Sequence, residues 1–517
     1  MSARAEPFFS ASRPPRATDI RMTLSTSPSL LARRVAPALA VLAAAALSAC
    51  AGLPGTPAQH PALLTPPAAS TASTSPANWP RTQAWDRWGD AQLRSLITTA
   101  LAQQPALQAV QARLGQAAAA VDSTRANSGL TVNASVDLTE QRFTENGMIP
   151  KPLAGSTAWN NTAQFSGSWE WDLFGRQSAQ LASALGQQRA AQAEAQAARN
   201  LLAANVAGAY VGLARGVALK ALSAESLKQR EAVMTLVRQR IAAGLDTTVE
   251  LRQAEALIAQ SRTELAAADE QIARSRHALA ELTGQAPHAL DALSPQLAAS
   301  TAQALPASLP VDLLGRRADL VAQRWRVEAA TQDVAVARAQ FYPNINIVGF
   351  AGLSSLGLNT LLDTGSLSAG IGPALRLPVF EGGRLRANLG ARNAEVDAAI
   401  AGYNGTLLRA LREVADEVSS LQAVEQQQVH QADALRASEQ AFELAVKRYQ
   451  AGLGNFLIVL NADTQVLAQR RATAELKARH LTAEASLSRA LGGGFAADAP
   501  EAAQAAQASS AAEQPRV

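Results

Sequence analysis

Arg240-Ile241-Ala242-Ala243-Gly244-Leu245 returns as Arg448-Tyr449-Gln450-Ala451-Gly452-Leu453, 208 residues further along (240 to 448). The same offset pairs Ala254 with Ala462, Arg262 with Arg470, Leu279 with Leu487, Gly284 with Gly492, and Gly175-Arg176 with Gly383-Arg384. A period this long is no solenoid repeat, so the chain reads as one structural half used twice.

Outward from these two Ala-Gly-Leu turns, proline is absent from 153–286 and from 379–499. Both stretches are rich in Ala, Leu, Gln, Glu and Arg, the strong helix formers. They predict helices from about Gly175 to Ala243 and Thr247 to Thr283, then from about Gly383 to Ala451 and Asn455 to Leu491. The longer member of each pair would be about 100 Å long at 1.5 Å per residue. A compact domain has no use for such a rod, so it must bridge something.

Ahead of each rod the period changes to two. Leu130, Val132, Ala134, Val136 and Leu138 alternate with Thr131, Asn133, Ser135, Asp137 and Thr139. Phe165, Trp169, Trp171 and Leu173 alternate with Ser166, Ser168, Glu170 and Asp172. In the second half Ile345 and Ile347 alternate with Asn344 and Asn346, and a further strand runs from Leu367 to Val379. These are amphipathic strands of about the 9–11 residues that a tilted membrane strand needs. A soluble sheet would need a second apolar layer, and none is evident. Four strands leave open edges that hydrocarbon does not tolerate, so closure requires several copies.

Apolar residues make up 48% but aromatics only 4%, because alanine dominates and favours close helix packing. The net charge of +4 arises before Cys50, where six basic and two acidic residues lie; 40 of each sign remain beyond it (46 less 6, 42 less 2). Charge therefore gives no reason to expect nucleic acid as a partner. Arg33-Arg34, the apolar run 35–46 and Leu47-Ser48-Ala49-Cys50 form a signal peptide over 1–49 with a lipobox, and Met22 offers a start that leaves a leader of more usual length. Cys50, the only cysteine, is the expected lipidation site, and once it is lipidated no thiol remains for a disulfide. Without an Asp after Cys50, the expected destination is the outer membrane. Residues 50–80 read as a Pro/Ala-rich tether, 81–287 and 288–494 as the two repeat halves, and 495–517 as a disordered tail.

Trp169-Glu170-Trp171-Asp172-Leu173-Phe174-Gly175-Arg176, Arg316-Arg317-Ala318-Asp319-Leu320, Phe341-Tyr342-Pro343 and Pro378-Val379-Phe380-Glu381-Gly382-Gly383-Arg384 together resemble the TolC-like outer-membrane factor family, in its lipoprotein (NodT-type) branch. The resemblance covers about Trp85 to Gly494. It implies a mainly α fold with membrane β: a homotrimer whose four strands per chain close one barrel, continuous with a long periplasmic α-helical barrel. It also implies a periplasmic adaptor and an inner-membrane transporter of the RND type as partners, together with outer-membrane lipid. Gly244, Leu245, Gly452 and Leu453 match the family's adaptor-contacting tips, with Gly serving the turn and Leu the contact. The family often has an acidic residue at the narrowing beyond the second tip. Here the gate positions are Leu457, Ile458 and Asn461, with Asp463 two residues further, so a trimer would present amides rather than carboxylates at Asn461. An aperture of that kind would bind cations less and close more through Leu457 and packing.

No catalytic constellation is present. The five histidines (His60, His277, His288, His430, His480) show no metal-ligand spacing, and no Gly-Lys-Ser/Thr phosphate loop exists. The expected function is non-enzymatic and without a cofactor other than the lipid on Cys50: a passive exit duct of a tripartite efflux pump for drugs and small toxic compounds. The alternatives are the outlet of a type I protein-secretion system and a structural coiled-coil lipoprotein without a pore. The strands argue against the spacer, and the lipid anchor favours small-molecule efflux.

Overall fold

The proline-free stretches fold as rods. In the computed structural model, which describes residues 60–64, 85, 87–297 and 317–492, α1 (Ala91–Gln103) and α2 (Pro105–Asn127) precede strands β1 (Thr131–Arg142) and β2 (Thr157–Trp171). There follow α3 (Arg176–Ala242), α4 (Thr248–Leu282), α5 (Ala318–Ala339), β3 (Asn344–Leu356), β4 (Leu367–Arg376), α6 (Arg384–Gln450) and α7 (Phe456–Ala490). The leader, Cys50, most of the tether and the tail lie outside the described residues.

The duplication is exact in length where the rods are concerned. α3 and α6 each have 67 residues, and α4 and α7 each have 35. An ion pair repeats at the same offset, with Arg262 on Glu231 at 3.2 Å and Arg470 on Glu439 at 3.0 Å. Each rod starts after a glycine in the left-handed region, Gly175 or Gly383, just where the strand must give way to a helix. The Trp169–Arg176 motif builds the first of these joints. Arg176 grips Glu170 with two donors, and the Asp172 carboxylate accepts the backbone N–H of Gln177 (3.0 Å) and Ser178 (2.8 Å) at the head of α3. Phe174 stacks on Tyr342 at 4.8 Å, tying this joint to the Phe341-Tyr342-Pro343 motif of the other half. Arg317 and Asp319 make a comparable clasp. Arg317 donates to Asp319 (2.7 Å), Glu413 (3.0 Å) and the Ala490 carbonyl (3.1 Å), pinning α5 to the end of α7.

The four strands form one antiparallel sheet in the order β1-β2-β3-β4. Register separates its faces. Val132, Val136, Phe165, Trp169, Ile347, Ala351, Ala369 and Ile371 fall on one side; Asn133, Ser135, Gln164, Ser166, Asn346, Ser354 and Ser368 fall on the other. Val132, Val136, Phe165 and Ile371 are among the exposed large apolar side chains, so the apolar face is left uncovered by the described residues. Among the described residues both β1 and β4 are open edges. β2 begins eight residues before Phe165, and β3 runs on to Leu356, beyond the short alternation visible in the sequence. β4 ends at Arg376 rather than Val379, because Arg376 pairs with Asn344, the first residue of its partner strand β3.

Alanine does what its abundance suggested. Ala203, Ala204 and Ala207 of α3 are buried, with Val206, Tyr210 and Leu213, in a core shared with Leu93 and Ala100 of α1 and with Ile272 and Leu279 of α4. α3 is long and apolar enough to cross a membrane by composition, but over half of that stretch is buried inside the protomer. It is a core helix. At Gly186 an added Cβ would come within 3.0 Å of the Ala329 Cβ, so the crossing of α3 with α5 uses the missing side chain.

Candidate functional site

The two hairpin turns lie at the end of the rods remote from the sheet. Both are Schellman caps, built alike: Gly244 (φ 72°) and Gly452 (φ 75°) are left-handed, and the next leucine's N–H returns to the arginine carbonyl five residues back. These bonds are Leu245 to Arg240 (2.9 Å) and Leu453 to Arg448 (2.8 Å). No atom lies within 4 Å of a Cβ placed on either glycine, so φ alone demands glycine there. The helices restart on side-chain caps, a Thr247/Glu250 capping box for α4 and Asn455 for α7. The outcome is that Leu245 (63% exposed) and Leu453 (70% exposed) project from two identical turns.

Between the turns sits a clasp that the sequence reading did not anticipate. Arg240 donates to Asp246 at 2.9 Å and to the Tyr449 backbone carbonyl at 2.8 Å. Its guanidinium lies 4.5 Å from the centre of the Tyr449 ring, and the Tyr449 hydroxyl donates to the same Asp246 carboxylate. Tyr449 is fully buried, against Phe456 and Val237. Desolvation pushes the Asp246 carboxyl up, but hydrogen bonds from Arg240 and Tyr449 and the Arg240 charge outweigh it and hold it below the usual range. Burial, and then the Asp246 hydrogen bond and charge, push the Tyr449 hydroxyl up. Both therefore stay in the states the clasp requires at neutral pH. The clasp is one-sided: Gly454 stands where a repeat of Asp246 would fall, and Arg448 is exposed.

Above the clasp, polar bridges continue between the first hairpin and α7. Arg230 holds Asp463 at 2.8 Å and Ser261 at 2.7 Å. Arg470 reaches Glu225 (3.0 Å), Arg471 reaches Glu264 and Ser223, and Arg215 reaches Glu475 (3.0 Å). This decides the place of the expected gate residues. Leu457, Ile458 and Asn461 are exposed on α7. Asp463 is different. It is 8% exposed and lies on the buried stripe with Phe456, Val459 and Val466, where Arg230 neutralises it. Within the protomer it is a fastening between helices rather than a free carboxylate at an aperture.

One further cluster escaped the sequence. His277 and His288 are eleven positions apart, yet the turn at Gly284 brings their rings to 5.5 Å, with Asp291 alongside.

An uncovered amphipathic sheet joined to duplicated 67-residue rods is the protomer of an outer-membrane channel of the TolC type. The chain belongs to the outer membrane efflux protein family, whose sequence model matches residues 96–285 and 309–493. It is 31% identical over 425 residues to the multidrug resistance outer membrane protein MdtQ of Escherichia coli O157:H7, covering 81% of this chain and 89% of that one. It is 36% identical over 333 residues to the fusaric acid resistance protein FusA of Burkholderia cepacia, covering 64% of this chain and 63% of that one. Its fold matches the crystal structure of the outer membrane protein VceC of Vibrio cholerae with a TM-score of 0.76 at 36% identity, covering 81% of this chain and all of that one. The sheet therefore belongs in the outer membrane and the rods in the periplasm, as a channel for efflux.

Proposed function

We propose that the chain is the passive exit duct of a tripartite pump for drugs and other small toxic compounds, assembled as a homotrimer and anchored by lipid on Cys50. The sheet carries this reading: among the described residues one face is apolar and uncovered, the other is polar but for Val348, Phe350 and Leu356, and both edges are open. Three copies close a barrel larger than the eight-strand minimum, turning polar side chains toward a watery lumen. The periplasmic adaptor would dock on the Leu245 and Leu453 tips, and an inner-membrane transporter of the RND type would supply the energy. The Asp246 clasp would hold the hairpins together when the duct is shut, and Leu457 and Asn461 would line the closing aperture.

The tether supports the anchor. The Asn404 side chain of α6 accepts the Leu64 N–H (2.8 Å) and donates to the Ala62 carbonyl (3.1 Å), while His60 meets Asp397 at 2.8 Å. Asp397 lies about 20 Å down α6 from its membrane end. The ten residues from Cys50 to His60 can span about 35 Å, enough to reach the bilayer. Deletion followed by a panel of antibiotics, dyes, detergents and metal salts tests the function. Increased sensitivity to several compounds, restored by the intact gene, is expected. Unchanged sensitivity alongside a lost secreted protein would instead make the chain a protein-secretion outlet.

A further inference from the structure

α4 ends in a left-handed Gly284, and the chain then folds back along the helix it has just left. The fold-back is fixed at several points. The Gln285 N–H bonds to the Ala280 carbonyl at 2.8 Å, and Arg276 donates twice to the Leu293 carbonyl, at 3.0 and 2.8 Å. Leu290 and Leu293 pack with Leu282 against the core around Leu279. On this frame His288 and Asp291 stand beside His277 of α4. The His288 Nδ1 lies 3.2 Å from an Asp291 carboxylate oxygen, and one ligand atom from each of the three residues lies within 4.8 Å of the others. All three side chains are exposed.

We infer that His277, His288 and Asp291 bind one borderline divalent transition-metal cation of the zinc, cobalt or nickel kind. Two imidazoles and a carboxylate are the donor set such ions prefer, whereas calcium and magnesium take oxygen ligands. Metal–ligand bonds of about 2.0–2.2 Å place donor atoms roughly 3–3.5 Å apart. The present spacing closes to that by side-chain rotation, which exposed side chains make freely, while the backbone carrying them stays fixed. Three protein donors leave the remaining coordination positions to water. The bound cation would fasten the start of the link between the two repeat halves to the last turns of α4.

The test is titration of the purified, detergent-solubilised full chain, made without a polyhistidine tag, with Zn²⁺ by calorimetry and with Co²⁺ by visible absorption. One saturable site per chain is expected, with a Kd below about 100 µM (ΔG near −5.5 kcal/mol). His277→Ala and His288→Ala should each weaken binding about tenfold or more, Asp291→Asn should weaken it severalfold, and His430→Ala should leave it unchanged. Unaltered melting of the variants would show that they are folded. Absence of saturable binding, or binding that survives the His277→Ala/His288→Ala double variant, would overturn the assignment.

Discussion

Replacing Asp246 by alanine should release the two hairpin tips from one another. The carboxylate receives Arg240 at 2.9 and 3.3 Å and the Tyr449 hydroxyl, and the ion-pair side chains are each only 10% exposed. The Arg240–Asp246 pair lies within the first hairpin, so between hairpins the variant loses only the Tyr449 hydroxyl bond to the carboxylate, while Arg240 keeps its bond to the Tyr449 carbonyl. A hydrogen bond to a charged group is worth about 1.5–3 kcal/mol. That corresponds to roughly a 10- to 150-fold rise in the population with separated tips. Planar-bilayer conductance, with entry of a large hydrophilic antibiotic into cells, reads this directly. Tyr449→Phe, which removes one hydroxyl and keeps the ring, should produce a smaller change in the same direction. Wild-type conductance and antibiotic resistance in both variants, with folded trimers, would refute the clasp as a lock.

The same clasp has a pH signature. Asp246 is held below its usual pKa, so its contribution is present above the unfolded value, about 3.9, and is lost as pH falls through the lower folded value. Conductance should be flat from pH 8 to 5 and rise only below about 4; a rise between 7 and 5 would contradict the assignment. Leu245→Asp and Leu453→Asp should abolish adaptor cross-linking without altering the protomer's melting, since both side chains are exposed. Gly244→Ala or Gly452→Ala should cost about 1 kcal/mol in a denaturant titration, through φ alone because the added methyl meets nothing. Asn461→Asp should create block by divalent cations from the periplasmic side. Strong block of the unaltered channel, lost only on mutating Asn461, would show that the amide ring already binds them. Cys50→Ser should eliminate lipid labelling while assembly persists, and retained labelling would remove Cys50 as the anchor.

The rods were legible because their ends are chemically punctuated. Gly175, Gly244, Gly383 and Gly452 take positive φ, and proline is missing between them, so the expected bounds agree with the observed ones closely. The start of β2 is hidden in the sequence because Asn161 interrupts its apolar face, where it sits fully buried with no hydrogen-bond partner for its amide among the described residues. Asp463 was assigned by its distance from the tip. Counting by sevens and fours from Phe456 and Val459 puts it on the packed stripe, a signal present in the sequence but not used. The clasp joins positions some two hundred residues apart, beyond any local pattern. Nor does the repeat reveal it, because most positions differ at the 208-residue offset, Asp246 against Gly454 and Ile241 against Tyr449 among them. His277 and His288 meet only because Gly284 reverses the chain, and spacing alone does not reveal that.

The central claim is that an open four-stranded sheet closes, copy against copy, into a water-filled barrel. Reconstitution of the purified chain into planar bilayers, with the mass of the inserted species measured in parallel, tests it most directly. A stable trimer that conducts ions is expected, in small steps while clasped and in larger ones in the Asp246→Ala variant. A monodisperse monomer, or a trimer that never conducts even as Asp246→Ala, would contradict it.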